Sequence, residues 1–286
     1  MISIGLTGWG DHDALYPAKT PAKEKLSLYA QHFPVVEVDS SFYAVLGQET
    51  YRRWINQTPD NFSFILKAYQ GMTGHARGKV PFDGPGEMFD AYLRSIQPVQ
   101  ESGKLKAVMF QFPPWFDCSP DSVRQLKAVR KWMGNLPLAL EFRHQSWYAP
   151  DMKEKTLEFM REENWIHIVC DEPQAGQGSV PTVLEPTAPE LTIIRLHGRN
   201  TSGWNQSGAP NWREVRYLYD YSESELAEWK DRLQVLQDRG AQNICMIFNN
   251  NSGGHAAGNG KQMMRLLGMN PPSLPPLQMD LFGETS

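Results

Sequence analysis

Eight short runs rich in β-branched and aromatic residues recur along the chain, and each breaks off into polar or glycine-rich sequence. They begin at Ile2 (ISIGLTGW), Pro34 (PVVEVDSSFY), Phe62 (FSFILKAY), Lys106 (KAVMFQFPP), Pro137 (PLALEFRH), Trp165 (WIHIVCDE), Leu191 (LTIIRLHGR) and Asn243 (NICMIFNNN). Most are separated by segments of helical period. Leu26, Tyr29, Ala30 and Phe33 form one apolar stripe, behind Thr20 as N-cap and Pro21 as first helical residue. Ser119 and Pro120 repeat that start, and Ser222 with Glu225 has capping-box spacing. Strictly alternating strands and helices imply parallel strands with right-handed crossovers. Eight units predict closure into a TIM-type (β/α)8 barrel. A doubly wound sheet is the alternative, but no GxGxxG follows the first strand. The sixth unit, PQAGQGSVPTVLEPTAPE, lacks a helical stripe and predicts an irregular loop in place of a helix. With a last helix near 255–268, residues 1–270 read as a single barrel domain and 271–286 as a proline-rich tail.

Composition narrows the setting. The chain has 286 residues, 41% of them hydrophobic, enough for one large core. A net charge of −4 gives no general attraction to nucleic acid or to an anionic membrane. Cys118, Cys170 and Cys245 are odd in number and lack CxxC spacing, which argues against a disulfide framework or a structural zinc site. The opening MISIGLTGWG is no signal peptide, and no apolar run reaches the ~20 residues that span a bilayer. A cytoplasmic location is expected.

The strands fail to be apolar at their C-terminal ends, and they fail with period two. Glu37 and Asp39 are two apart, as are Glu141 and Arg143, while Arg195, His197 and Arg199 make three. Lys67, Gln111, Asp171, Asn249 and Asn251 stand at comparable points. Residues i and i+2 share a face of a strand, so these sets should face the barrel axis at its top. Val36, Val38, Leu140, Phe142, Ile194 and Leu196 should then pack beneath the helices. Single pairs such as Glu141–Arg143 could be interior ion pairs that only satisfy each other. A whole ring of them costs several kcal/mol per ion unless well paired, which favours a ligand site. Glu37, Asp39, Glu141, Asp171, His167 and His197 offer oxygen and imidazole donors to a divalent metal, without any HExxH-like spacing in support. Lys67, Arg143, Arg195 and Arg199 suit a phosphate or carboxylate. His144 and His197 are candidate acid–base groups, with Glu37, Asp39, Glu141 and Asp171 as candidate catalytic carboxylates. Ser252, Gly253 and Gly254, leading into the last helix, read either as a phosphate-binding loop or as a glycine-rich turn. The aromatic loop from Gly198 to Tyr221 reads either as a lid that stacks on a planar ligand or as a packed surface loop.

GLTGW, VVEVDSSFY, TPDNFSFILKA, MFQFPPWF, LALEFRHQSW, IIRLHGRN, RYLYDYSESEL and FNNNSGGHAAGN follow one another in an order that resembles the domain of unknown function 72 (YecE-like) family. The resemblance implies a TIM-type barrel and no established activity. It places Glu37, Ser40, Tyr43, Glu141, Arg143, His144, Arg195, His197, Gly198, Arg199 and Asn249 within shared motifs. With the strand-end polar pattern, Tyr43, Lys67, Gln111, Arg143, Arg195, Arg199, Asn249 and Asn251 make the expected substrate-binding set. Two functions stay open. One is an enzyme acting on a phosphorylated or other anionic substrate, such as metal-assisted phosphoester hydrolysis linked to nucleic-acid metabolism. The other is a non-catalytic anion-binding adaptor. In the tail, Pro271, Pro272, Pro275 and Pro276 favour an extended spacer ahead of QMDLF. That pentapeptide resembles the bacterial sliding-clamp motif, with Gln278 as hydrogen-bonding group and Met279, Leu281 and Phe282 as apolar anchors. A tail folded back on the outer helices is the alternative.

Overall fold

The eight runs become β1 (Ile2–Thr7), β2 (Val35–Val38), β3 (Ser63–Lys67), β4 (Leu105–Gln111), β5 (Leu138–Glu141), β6 (Trp165–Asp171), β7 (Thr192–Leu196) and β8 (Ile244–Phe248). In this computed structural model, residues 1–204 and 212–270 are described. All neighbouring strands pair in parallel, and β1 pairs with β8 to close the barrel. The helices are α1 (Lys25–Tyr29), α2 (Ser40–Tyr43), α3 (Gln48–Asn56), α4 (Pro85–Glu101), α5 (Pro120–Met133), α6 (Lys153–Glu162), α7 (Thr201–Trp204), α8 (Trp212–Arg216), α9 (Glu223–Asp238) and α10 (His255–Leu266). The tail residues Gln278, Met279, Leu281 and Phe282 lie outside the described residues. No described helix is long and apolar enough to cross a membrane.

Local chemistry accounts for most boundaries. The Ser119 hydroxyl accepts from the Ser122 amide ahead of α5, and Ser222 and Glu225 form a reciprocal capping box at α9. Thr20 does not cap α1. Its hydroxyl donates to the Pro17 carbonyl, the intervening residues form turns, and α1 starts at Lys25. The apolar stripe still buries as expected, at Leu26, Tyr29, Ala30 and Phe33. The buried Tyr29 hydroxyl accepts from the Leu6 amide and donates to the Val35 carbonyl, tying α1 to β1 and β2.

No helix forms between β6 and β7. The segment lies along β6 and uses side chains where a helix would use packing. Thr187 accepts from the His167 amide and donates to the Trp165 carbonyl, and Thr182 donates to the Cys170 carbonyl. His167 explains the choice. It faces outward, where its ring bonds the Glu185 carbonyl and the Tyr148 hydroxyl at 2.8 and 3.0 Å. A helix presenting an apolar stripe would leave that imidazole unsatisfied, at a cost of ~1–3 kcal/mol.

Candidate functional site

Arg195 spans the barrel. From β7 it donates through Nε and Nη2 to both oxygens of Glu37 on β2, at 2.8 and 2.6 Å, and through Nη1 to Glu141 on β5 at 2.5 Å. These strands are not neighbours, so all three side chains point to the axis. The other oxygen of Glu141 accepts from Arg143 Nε at 2.6 Å and from Gln111 Nε2 at 2.7 Å. Arg143 continues to Glu172 at 2.7 Å and approaches His197 Nε2 at 3.2 Å. Glu37, Glu141, Arg143, Arg195 and His197 are all buried. The result is a lattice of alternating charge at the C-terminal ends of the strands. One step outward, Lys67 pairs with the partly exposed Asp39 at 3.1 Å.

The lattice sets the protonation of its members. Burial opposes charge on Glu141, but the guanidiniums of Arg143 and Arg195 outweigh it and hold the carboxyl well below its ordinary range. For Glu37 burial prevails over Arg195 and the carboxyl rises. Burial also wins at Glu172, against Arg143, and pushes that carboxyl up to about 7. His197 is driven well below its ordinary value by burial and by the two guanidiniums. A neutral His197 with Arg143 at Nε2 carries its proton on Nδ1, 2.8 Å from the Asn249 amide. The Asn249 oxygen rather than its nitrogen therefore belongs on that side, accepting the Nδ1 proton. The Nε2 lone pair is engaged by Arg143, so His197 serves as an acceptor within the lattice.

Three expected members leave the axis. Asp171 points outward to Trp229 Nε1 on α9 at 2.8 Å and to Arg199 Nε at 3.0 Å. Arg199 continues to Glu225 and Glu228, at 3.4 and 3.0 Å. The cause lies at Gly198, whose φ of 88° is left-handed and ends the alternation that would have put Arg199 beside His197. His167 is outward as well, which removes it and Asp171 from any common donor set. Two groups that sequence reasoning passed over take their places: Cys170, on the opposite face of β6, and Glu172, just past its end. The alternation there points the wrong way, because the polar His167 and Asp171 lie on the outward face with Trp165 and Val169, while the inward Ile166, Ile168 and Cys170 read as apolar.

A divalent metal does not fit this arrangement. Glu141, Cys170 and His197 bring potential ligand atoms within 4.8 Å of one another. Both Glu141 oxygens already accept from guanidiniums, and two guanidiniums lie within 3.5 Å of His197 Nε2. A dication would have to displace two arginines from a buried site.

The remaining expected residues are dispersed. His144 caps the short 3-10 helix Gln145–Tyr148, its Nδ1 accepting from the Ser146 amide at 3.2 Å. Asn251 donates to the Thr7 carbonyl at 2.9 Å. Ser252 makes an isolated bridge with Leu218. Gly253 and Gly254 have φ of 72° and 76° and turn the chain into α10, whose first residue His255 lies 3.5 Å from Asp220. Tyr43 is 53% exposed at the mouth. After β7, Trp204 is buried, with its ring and that of Tyr217 just over 6 Å from His197. The Arg143 and Arg216 guanidiniums lie over the Trp204 ring, at 5.4 and 3.8 Å.

A cavity of about 1050 Å³ opens at the opposite end of the barrel. Its Arg130 donates to the carbonyls of Gly134, Leu136 and Asn164, so that cation is committed to holding loops. The perturbed carboxyls and converging cations all stand at the other end, where barrels of this type carry out chemistry.

Fold and site together define a TIM-type barrel with a charged C-terminal mouth. The chain belongs to the family described as "Protein of unknown function DUF72", whose profile matches residues 3–280. It is 54% identical to the UPF0759 protein YunF of Bacillus subtilis over 99% of this chain and all of that one. It is 27% identical to the UPF0759 protein YecE of Escherichia coli K12, over 55% of this chain and 54% of that one. A crystal structure of a DUF72 family protein from Enterococcus faecalis superposes with a TM-score of 0.90 at 36% identity, covering 98% of this chain and 100% of the other. One from Thermotoga maritima gives 0.79 at 29% identity, covering 94% and 99%.

Proposed function

We propose that the protein is an enzyme acting on a phosphorylated or otherwise anionic substrate at the C-terminal mouth of its barrel. The observation that carries this reading is Arg216. Its guanidinium is half-buried beside Arg143, on the Trp204 ring, and its buried Nε has no hydrogen-bond partner. No carboxylate among the described residues forms an ion pair with it. A half-buried cation near another cation, with no carboxylate paired to it among the described residues, is a place where an anionic ligand completes the ion pair. The perturbed Glu172, within electrostatic range of both arginines, supplies a carboxyl able to exchange a proton near neutrality. Phosphoester hydrolysis, linked to nucleic-acid metabolism, is the reaction class to screen first. Calorimetric titration with ribose 5-phosphate and inorganic phosphate tests the site. Binding to the native protein should weaken about ten-fold in Arg216→Gln. Absence of binding, or equal binding by both proteins, overturns the reading.

The alternative is a non-catalytic anion-binding adaptor, favoured by the completeness with which Glu37, Glu141 and Arg195 satisfy one another. Its tail, through Gln278, Met279, Leu281 and Phe282, would recruit the bacterial sliding clamp. Purified clamp should be retained by the full chain and lost by a chain ending at Pro276; equal retention refutes the recruitment.

A further inference from the structure

Beyond the lattice, the C-terminal mouth carries a second group of side chains that the charge pattern does not explain. Trp115, after β4, is 58% exposed, and Tyr43, at the end of α2, is 53% exposed. Between them stand Phe42 and His75. Phe42 meets Tyr43 and His75 edge to face, both at 5.2 Å between ring centres, and His75 meets Trp115 at 5.9 Å. Lys67 Nζ lies 4.8 Å from the centre of the Phe42 ring. Large aromatic rings left in water at the active end of a barrel are costly unless something covers them.

His75 is held in one tautomer. The 3-10 helix Gln70–Thr73 ends in Gly74 at a left-handed φ of 76°, and the His75 amide returns to the Gln70 carbonyl at 3.0 Å. Thr73 Oγ1 contacts that same carbonyl at 3.3 Å and His75 Nδ1 at 2.9 Å. A carbonyl cannot donate, so the Thr73 proton goes to Gln70 and Nδ1–H donates to Thr73. The lone pair is therefore on Nε2. Burial, with Lys67 and Arg143 nearby, lowers the His75 pKa to about 4 and keeps the ring neutral.

The geometry points to a subsite for a planar, hydrogen-bond-donating heteroaromatic ring over Phe42, Tyr43, His75 and Trp115, so that the anionic substrate is of the nucleotide class. This rests on the anion site proposed above. Arg216 lies on the Trp204 ring, whose Nε1 donates to the Gly178 carbonyl at 3.2 Å, and a Cβ on Gly178 would stand 3.7 Å from Pro114, the residue before Trp115, so the two groups share one rim. The aromatic rings stack on the base, His75 Nε2 accepts from an exocyclic amino group, and Arg216 takes the phosphate.

Three probes separate the parts: adenosine 5′-monophosphate, adenosine, and ribose 5-phosphate, each titrated calorimetrically into the full-length protein. The monophosphate should bind about ten-fold more tightly than ribose 5-phosphate, the gain expected of one stacked base. Trp115→Ala should abolish that preference and leave ribose 5-phosphate binding unchanged. Arg216→Gln should weaken both phosphates and leave adenosine unchanged. Equal binding of the two phosphates, or a preference that survives in Trp115→Ala, overturns the ring subsite while the anion site stands. Binding of adenosine with no phosphate contribution supports the ring subsite and overturns the anion site. If none of the three binds, both are overturned.

Discussion

Replacing Arg195 by methionine should cost about 3–5 kcal/mol of folding stability, a large share of the total for a domain of this kind. The side chain crosses the axis and satisfies two carboxylates that have no access to water, Glu37 and Glu141. Methionine fills similar space and leaves both carboxylates with lost partners. The loss should appear as a lower midpoint in urea, with an unchanged slope. Adding Glu37→Gln and Glu141→Gln to Arg195→Met should recover most of it, because neutral amides are far cheaper to bury than unpaired carboxylates. Failure of the triple variant to regain stability would assign the loss to packing and not to charge. A single variant as stable as the native protein would show that the lattice contributes nothing.

The second large effect concerns Glu172 and pH. Its carboxyl is raised by burial to about 7, well above its value in an unfolded chain. A raised carboxyl binds more protons folded than unfolded, so its contribution is fully present at low pH. That contribution is lost as pH rises through 7. The shift corresponds to about 3 kcal/mol across pH 5 to 8. Glu172→Gln mimics the protonated form at every pH and removes this dependence. The stability of the variant relative to the native protein should therefore increase by about 3 kcal/mol from pH 5 to pH 8. Urea midpoints for both proteins at each pH decide it. A difference that stays constant would mean that Arg143 and the Val180 amide, both bonded to the carboxylate, hold Glu172 ionised throughout.

Much of the fold was legible because barrel strands announce themselves. A parallel strand covered on both faces must be apolar along most of its length, and all eight runs begin within one residue of an observed strand, although they overrun its C-terminal end by up to five residues. The capping signals at Ser119 and Ser222 were equally local. The signal at Thr20 failed because a proline turn nearby offered its hydroxyl another acceptor. At the site, Glu37, Gln111, Glu141, Arg143, Arg195, His197 and Asn249 were all recognisable as polar residues at strand ends, and they converge. His75 and Trp115 were not recognisable, since they stand on loops where no periodicity marks them.

What the sequence alone determined follows from covalent geometry. Side chains two apart on a strand share a face, so Glu141 travels with Arg143 and Arg195 with His197 whatever the rest of the chain does. Which face meets the axis, and which residue meets which across it, was decided only when the barrel closed. On β6 the polar residues His167 and Asp171 share the face that packs beneath the helices, so closure sent Cys170 and Glu172 inward and Asp171 outward to Trp229. After β7 one left-handed glycine carried Arg199 out of the site. The pairing of Arg195 with Glu37 joins residues 158 positions apart. No local rule reaches that far, because it is the circumference of a closed sheet that brings them face to face.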